Sequence, residues 1–234
     1  MTPYVVGLGG SLRGGSTTDN VLRLALKVAA SAGARTLHLG GLELNLPMYS
    51  PDIVERTPAA RRLLDELRKA DGIIIGSPSY HGSISGYVKN ALDYVEDLHN
   101  EPAPYFDGRA VGCISIASGW HGAVSTLDAL RSVVHALRGW PTPLGVPIVA
   151  PSPLFDASGN CVVAKVQEQI EIMARQVVDF ASRAGTHRTL PAAARSVRIG
   201  TATQGASHPP GVNRQDGSTT STVHGPTEEP VLVR

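Results

Sequence analysis

The chain has 234 residues, enough for one well-cored domain and short for two. Its formal net charge is +1 and its hydrophobic content is ordinary, so a soluble globular protein is expected rather than a nucleic-acid binder or a membrane-surface protein. The amino terminus lacks a basic region before its first apolar run, and no stretch approaches the ~20 apolar residues of a membrane span, which predicts a cytoplasmic protein.

Elements alternate along the chain. Tyr4–Leu8 reads as a short buried strand, and Thr17–Ala32 as a helix with an apolar stripe of Val21, Leu22, Leu24, Ala25, Val28 and Ala29, stopped by Gly33. Arg35–Leu39 is a second strand. Gly40–Pro58 carries three prolines and is expected to be irregular. Ala59–Lys69 is a helix, and Gly72–Gly76 a strand whose Ile73-Ile74-Ile75 is apolar on both faces, the pattern of a sheet covered on both sides. Ser85–Leu98 is helical, Ala110–Ala117 a strand and Ala123–Leu137 a helix. Pro143–Ala150 is expected at a sheet edge because of its prolines, with Trp140, Pro141 and Pro143 marking a break before it. Val162–Ala184 is a long final helix. Five strands alternating with helices predict a five-stranded parallel sheet between two helical layers.

Residues 1–185 are thus one α/β domain. Residues 186–234 are rich in Thr, Ser, Pro and Gly with little apolar periodicity, and are expected to form a flexible, mostly disordered tail, with Ala192–Thr201 the segment considered for a partner. Cys113 and Cys161 show no metal-ligand spacing. Cys113 sits in an apolar run as a buried structural thiol, and no metal site is expected.

Two loops carry the chemistry. Gly9-Gly10-Ser11-Leu12-Arg13-Gly14-Gly15-Ser16-Thr17-Thr18 follows the first strand and enters a helix, whose free N–H groups and positive dipole end suit a phosphate. Ser11, Ser16, Thr17 and Thr18 add hydroxyls, and Arg13 adds a charge-assisted contact. A dinucleotide fingerprint fails because Leu12 occupies its third glycine position. A Walker A loop fails because Ser16 stands where lysine is required. An ordinary turn with Ser16 or Thr17 as helix cap is the plain alternative. The second loop is Gly76-Ser77-Pro78-Ser79-Tyr80-His81-Gly82-Ser83, where Pro78 is expected to turn the chain and Tyr80 to border a flat ring. Together the loops point to a phosphorylated planar cofactor, with FMN the best candidate.

These residues resemble the NADPH-dependent FMN reductase family. The match rests on Gly10-Ser11-Leu12-Arg13-Gly14-Gly15-Ser16 and on the run from Ser77 to Tyr94, and covers roughly residues 4–184. The resemblance implies a flavodoxin-like three-layer sandwich with strand order 2-1-3-4-5. It also implies that Ser11, Arg13 and Ser16, with Thr17 and Thr18 beside them, hold the FMN phosphate. By the same resemblance Pro78, Ser79, Tyr80, His81, Gly82 and Ser83 line the isoalloxazine, and Ser118, Gly119 and Trp120 form a flavin-edge loop. Trp120 departs from the small residues usual in the family there.

The implied activity is hydride transfer from nicotinamide C4 of NADPH or NADH to flavin N5, with no catalytic side chain required. Reduced FMN would then supply a partner monooxygenase. Alternatives are an FMN-holding oxidoreductase acting on quinones, azo dyes, nitroaromatics or metal ions, a non-enzymatic electron carrier, and a P-loop-like nucleotide module. His81 and His121 are read as site-lining rather than catalytic. Lys89 and Asp93, four residues apart, are read as a surface pair on a helix that the resemblance makes a dimer contact, in a homodimer or homotetramer.

Overall fold

The computed structural model describes residues 2–150 and 153–188 of the chain. Its centre is the strand that the sequence marks as apolar on both sides. Ile73 and Ile75 belong to one cluster of buried side chains and Ile74 to a second, and all three are fully buried. This strand, β3 (Gly72–Tyr80), lies between β1 (Tyr4–Gly9) and β5 (Ala110–Ala117), and β2 (Arg35–Leu39) lies outside β1. All four run parallel.

The two clusters are the two covered faces. Helices α1 (Thr17–Ser31) and α5 (Ala164–Arg188) cover one, through Leu22, Leu26, Met173 and Val177. Helices α2 (Pro58–Lys69), α3 (Gly86–Asp93) and α4 (Trp120–Ala136) cover the other, through Leu63, Val88 and Leu130. The α1/α5 layer approaches closely because strand glycines face it. A Cβ on Gly112 would lie 2.1 Å from Met173 Sδ, and one on Gly7 would lie 2.6 Å from Leu26 Cδ1. The expected three-layer α/β sandwich is therefore present, and the fold is flavodoxin-like.

Three details differ from the sequence-based expectation. First, the sheet has seven strands rather than five. The expected strand Pro143–Ala150 is shorter, β7 (Val146–Val149), and the expected break before it holds a further short strand, β6 (Trp140–Pro141), both parallel to β5. Thr142 Oγ1 donates to the Leu144 carbonyl between them, and Pro147 is tolerated because β7 is an edge. The extra strand, β4 (Ser83–Ile84), folds back antiparallel on β3.

Second, Pro78 makes no turn. Strand β3 continues through it, pairing with β5 as far as Pro78 opposite Ile116. The pairing with β1 stops at Gly9 opposite Gly76, so a missing N–H costs less beyond that point. The turn falls instead at His81-Gly82, where φ is +53° and +77° and Tyr80 pairs with Ser83.

Third, Trp120 begins helix α4, with Gly119 as its cap, rather than lying in a loop. The final helix starts at Ala164 and reaches Arg188. It thus enters the first residues of the expected 186–234 tail, and the rest of that tail from residue 189, with Ala192–Thr201, lies outside the described residues.

Candidate functional site

Parallel strands end on one edge, so the loops after β1, β3 and β5 emerge side by side. The first is tied to the second directly, since Gly10 N–H donates to the Gly76 carbonyl at 3.1 Å. Gly9 has φ +137°, and a Cβ there would lie 2.0 Å from the Gly76 oxygen, so only glycine fits this crossing. From Gly10 the loop rises away from the sheet.

The loop presents donors outward. Among the described residues, no backbone N–H from Ser11 to Thr18 donates to a protein group. Space beside Gly14 and Gly15 is open, with no heavy atom within 4 Å of a Cβ built on either. Ser16 is the α1 cap and accepts from Asp19 N–H at 3.2 Å, which leaves its hydroxyl proton available. The cap and cradle readings are therefore compatible. Ser11 Oγ donates to the Arg13 carbonyl at 3.4 Å, and Arg13 is exposed without an ion pair among the described residues. Thr17 is half-buried. Thr18 is buried, with its methyl 3.5 Å from a Cβ built on Gly76, so it offers its N–H and packing more than its hydroxyl.

The second wall is the β3–β4 hairpin. Pro78 and Ser79 are half-buried, while Tyr80, His81 and Ser83 are exposed and Gly82 is intermediate. Its base is held by Ser77, whose hydroxyl accepts from Ser85 N–H at 3.0 Å and donates to the Pro78 carbonyl at 2.8 Å. Its tip is held from α4. Ser125 Oγ lies 2.8 Å from the Gly82 carbonyl, and Thr126 Oγ1 donates to Ser79 Oγ at 2.9 Å.

The third segment faces the hairpin. Ser118 and Gly119 are exposed at the end of β5, and Trp120 is 65% exposed at the first turn of α4. His121 Nε2 is 4.0 Å from a Cβ built on Gly82. A shallow groove of about 370 Å³ runs over Trp120, His121, Val124, Ser125 and Asp128. Trp120 borders this groove, and Tyr80 is exposed on the hairpin that Ser125 and Thr126 hold against α4, so the edge carries two exposed aromatic side chains suited to a flat aromatic molecule. All the residues expected for the site are brought to this edge.

The sequence reading missed Ser77, Ser125 and Thr126. Ser77 and Thr126 are buried and Ser125 partly so, and hydroxyls in such positions need partners. It also missed Asp19 and His38 beneath the first loop. Asp19 Oδ2 pairs with Arg23 Nε at 2.8 Å, and Asp19 Oδ1 lies 3.1 Å from His38 Nε2. Burial holds the His38 imidazole below the ordinary histidine range, with Asp19 pulling the other way.

Comparison with known proteins places this arrangement. The model of NADPH-dependent FMN reductases matches residues 3–151, more than half of the chain. The chain belongs to that family. It is an oxidoreductase of the NADPH-dependent FMN reductase family, as the loop residues implied. The chain is 27% identical over 170 residues to an NAD(P)H-dependent FMN reductase of Pseudomonas aeruginosa, covering 71% of this chain and 89% of that protein. It is 30% identical over 125 residues to a quinone reductase of Pseudomonas putida, covering 52% of this chain and 64% of that protein. Its fold is similar to that of the flavoenzyme NAD(P)H:(acceptor) oxidoreductase of Paracoccus denitrificans. The TM-score is 0.65 at 19% identity, over 78% of this chain and 99% of that one.

Proposed function

We propose that the chain holds FMN with its phosphate on the Ser11–Thr18 loop and its ring between the hairpin and the start of α4. The observation that carries this reading is the first loop, with its run of unused N–H groups, its hydroxyls and its free Arg13 on the sheet edge that also bears Tyr80 and Trp120. Ser11, Ser16 and Thr17 would donate to phosphate oxygens alongside the α1 amino terminus. Arg13 would close over the phosphate with a charge-assisted contact. Pro78, Ser79, Tyr80, His81, Gly82 and Ser83 would edge the ring on one side, with Ser118, Gly119 and Trp120 on the other.

A flavin held here would supply the redox chemistry, hydride transfer between nicotinamide C4 of NADPH or NADH and flavin N5. The protein's share is orientation. The hairpin and α4 would hold the rings in register, and no side chain would need to carry a proton.

The finer reading is that the chain releases reduced FMN to a partner monooxygenase, acting in the cytoplasm as a homodimer or homotetramer. The described residues contain no helix long and apolar enough to cross a membrane. A second reading, an oxidoreductase that keeps its FMN and reduces quinones, is favoured by the exposed Tyr80 and Trp120, which offer a flat acceptor two aromatic neighbours.

The deciding experiment records the visible spectrum of the purified protein and its NAD(P)H oxidation with and without added FMN. A colourless protein active only with excess FMN supports release of reduced flavin. A yellow protein that needs an added quinone supports the second reading. Arg13→Ala should weaken FMN binding by about tenfold or more while riboflavin binding and the melting temperature stay unchanged. Unchanged FMN affinity would remove the phosphate assignment.

A further inference from the structure

A carboxylate in the first turn of α1 stabilises the helix dipole but repels a phosphate placed at the same helix end. Asp19 is such a carboxylate. It sits directly under the loop, since a Cβ on Gly10 would lie 3.3 Å from its Oδ1. One oxygen is engaged by Arg23, which is itself largely exposed. The other faces His38 Nε2 at 3.1 Å, yet that nitrogen is buried and makes no aligned hydrogen bond among the described residues.

His38 is clamped in place. A Cβ on Gly40 would lie 2.7 Å from its Cε1, 2.9 Å from its Nε2 and 2.8 Å from the Gly9 carbonyl. The imidazole therefore lies against Gly40, which also approaches the Gly9 carbonyl where the first loop begins. The charged and titratable groups around it are Asp19 and Arg23 from α1, Glu43 from the 3-10 turn Gly41–Leu44, and Tyr87 from α3. Tyr87 donates its hydroxyl to the Gly41 carbonyl. No cation besides Arg23 balances Asp19 in this set.

We propose that His38 is a positioning residue for the phosphate site: when a phosphate monoester settles on the Ser11–Thr18 loop, His38 takes one proton from solvent and donates a hydrogen bond from Nε2 to Asp19 Oδ1. The protonated imidazole has both nitrogens as donors, so Nε2 must then carry hydrogen. The carboxylate's repulsion is cancelled at the base of the loop, and the phosphate meets a neutral floor. The inference rests on the FMN reading for the identity of the phosphate.

The linkage has a definite sign. Burial lowers the proton affinity of His38 in the free protein, and a bound dianion would raise it. Phosphate binding and proton uptake then reinforce one another, so affinity rises as pH falls between the His38 pKa of the free protein and that of the complex.

The test is calorimetric titration of the full chain with FMN in two buffers of different ionisation heat, for wild type, His38→Gln and Asp19→Asn, with riboflavin as the ligand lacking phosphate. FMN's own ionisation is common to all three proteins and cancels in the comparison. Wild type should take up more protons than His38→Gln, and its affinity advantage for FMN should grow about fivefold from about pH 8.5 to about pH 6. Asp19→Asn should bind FMN more tightly than wild type at the upper pH and show no such growth, which serves if His38→Gln does not fold. Riboflavin should show no difference between the proteins. Equal proton counts and parallel pH profiles would overturn the role of His38 while leaving FMN binding intact. A wild type that does not bind FMN would instead overturn the FMN reading and this inference with it.

Discussion

Thr126 Oγ1 donates to Ser79 Oγ across 2.9 Å, joining the fully buried face of α4 to the strand that carries the site's second wall. The bond matters because neither residue belongs to a loop. It fixes the hairpin from the framework side, and Ser125 does the same one residue earlier through the Gly82 carbonyl. Thr126→Val keeps the shape and removes the donor. It should cost about 1 kcal/mol of stability and weaken FMN binding severalfold. Thermal melting with and without FMN checks both; an unchanged affinity would show that the hairpin is positioned without this bond.

A second prediction concerns the crossing of the first two loops. Gly9→Ala places a methyl on the Gly76 carbonyl at a backbone angle that L-residues rarely adopt. The cost should exceed about 3 kcal/mol, so the variant should melt far below wild type or fail to fold. Gly14→Ala, whose Cβ meets nothing within 4 Å, is the matched control and should melt like wild type.

A third follows from Glu66 on α2. Its carboxylate accepts from Tyr4 Oη at 2.6 Å and from Lys69 Nζ at 3.1 Å, and these bonds hold it below the usual glutamate range, the Tyr4 bond contributing most. A depressed carboxylate stabilises the fold above its unfolded pKa, and that contribution disappears as pH falls through the folded value. Glu66→Gln should therefore be less stable than wild type near neutral pH, and the difference should shrink to nothing in acid below the glutamate range. Urea midpoints across that pH series measure it.

A fourth separates the two cysteines. Burial pushes the Cys113 thiol up to about 12, whereas Cys161 is partly exposed. A thiol-exchange reagent at mildly alkaline pH should label Cys161 in the native protein and reach Cys113 only after denaturation. Labelling of both thiols at once in native protein would contradict the burial of β5.

Much of this architecture was readable from residues alone. The triple isoleucine of β3 announced a sheet covered on both faces, and the glycine- and hydroxyl-rich loop marked the sheet edge at which we propose that the ligand binds. Pro78 misled because the local rule for proline describes an isolated segment. Here β5 continues beside β3 to Ile116 while β1 has already ended, and that pairing outweighs the lost N–H. The start of α4 was hidden because Trp120-His121-Gly122 is a weak helix former and Gly119 caps it without a side chain. His38 was invisible because it sits on β2, and only the parallel pairing of β2 with β1 brings it under the first loop.

The anchoring of the hairpin by Ser125 and Thr126 makes the mouth of the site a frame rather than a flap. Tyr80 and Trp120 stand on elements joined by these two hydroxyl contacts, so the backbones that carry them are held to one another while the exposed rings stay free to adjust. We therefore expect selectivity at this edge to come from how the two rings turn, not from movement of the hairpin away from α4.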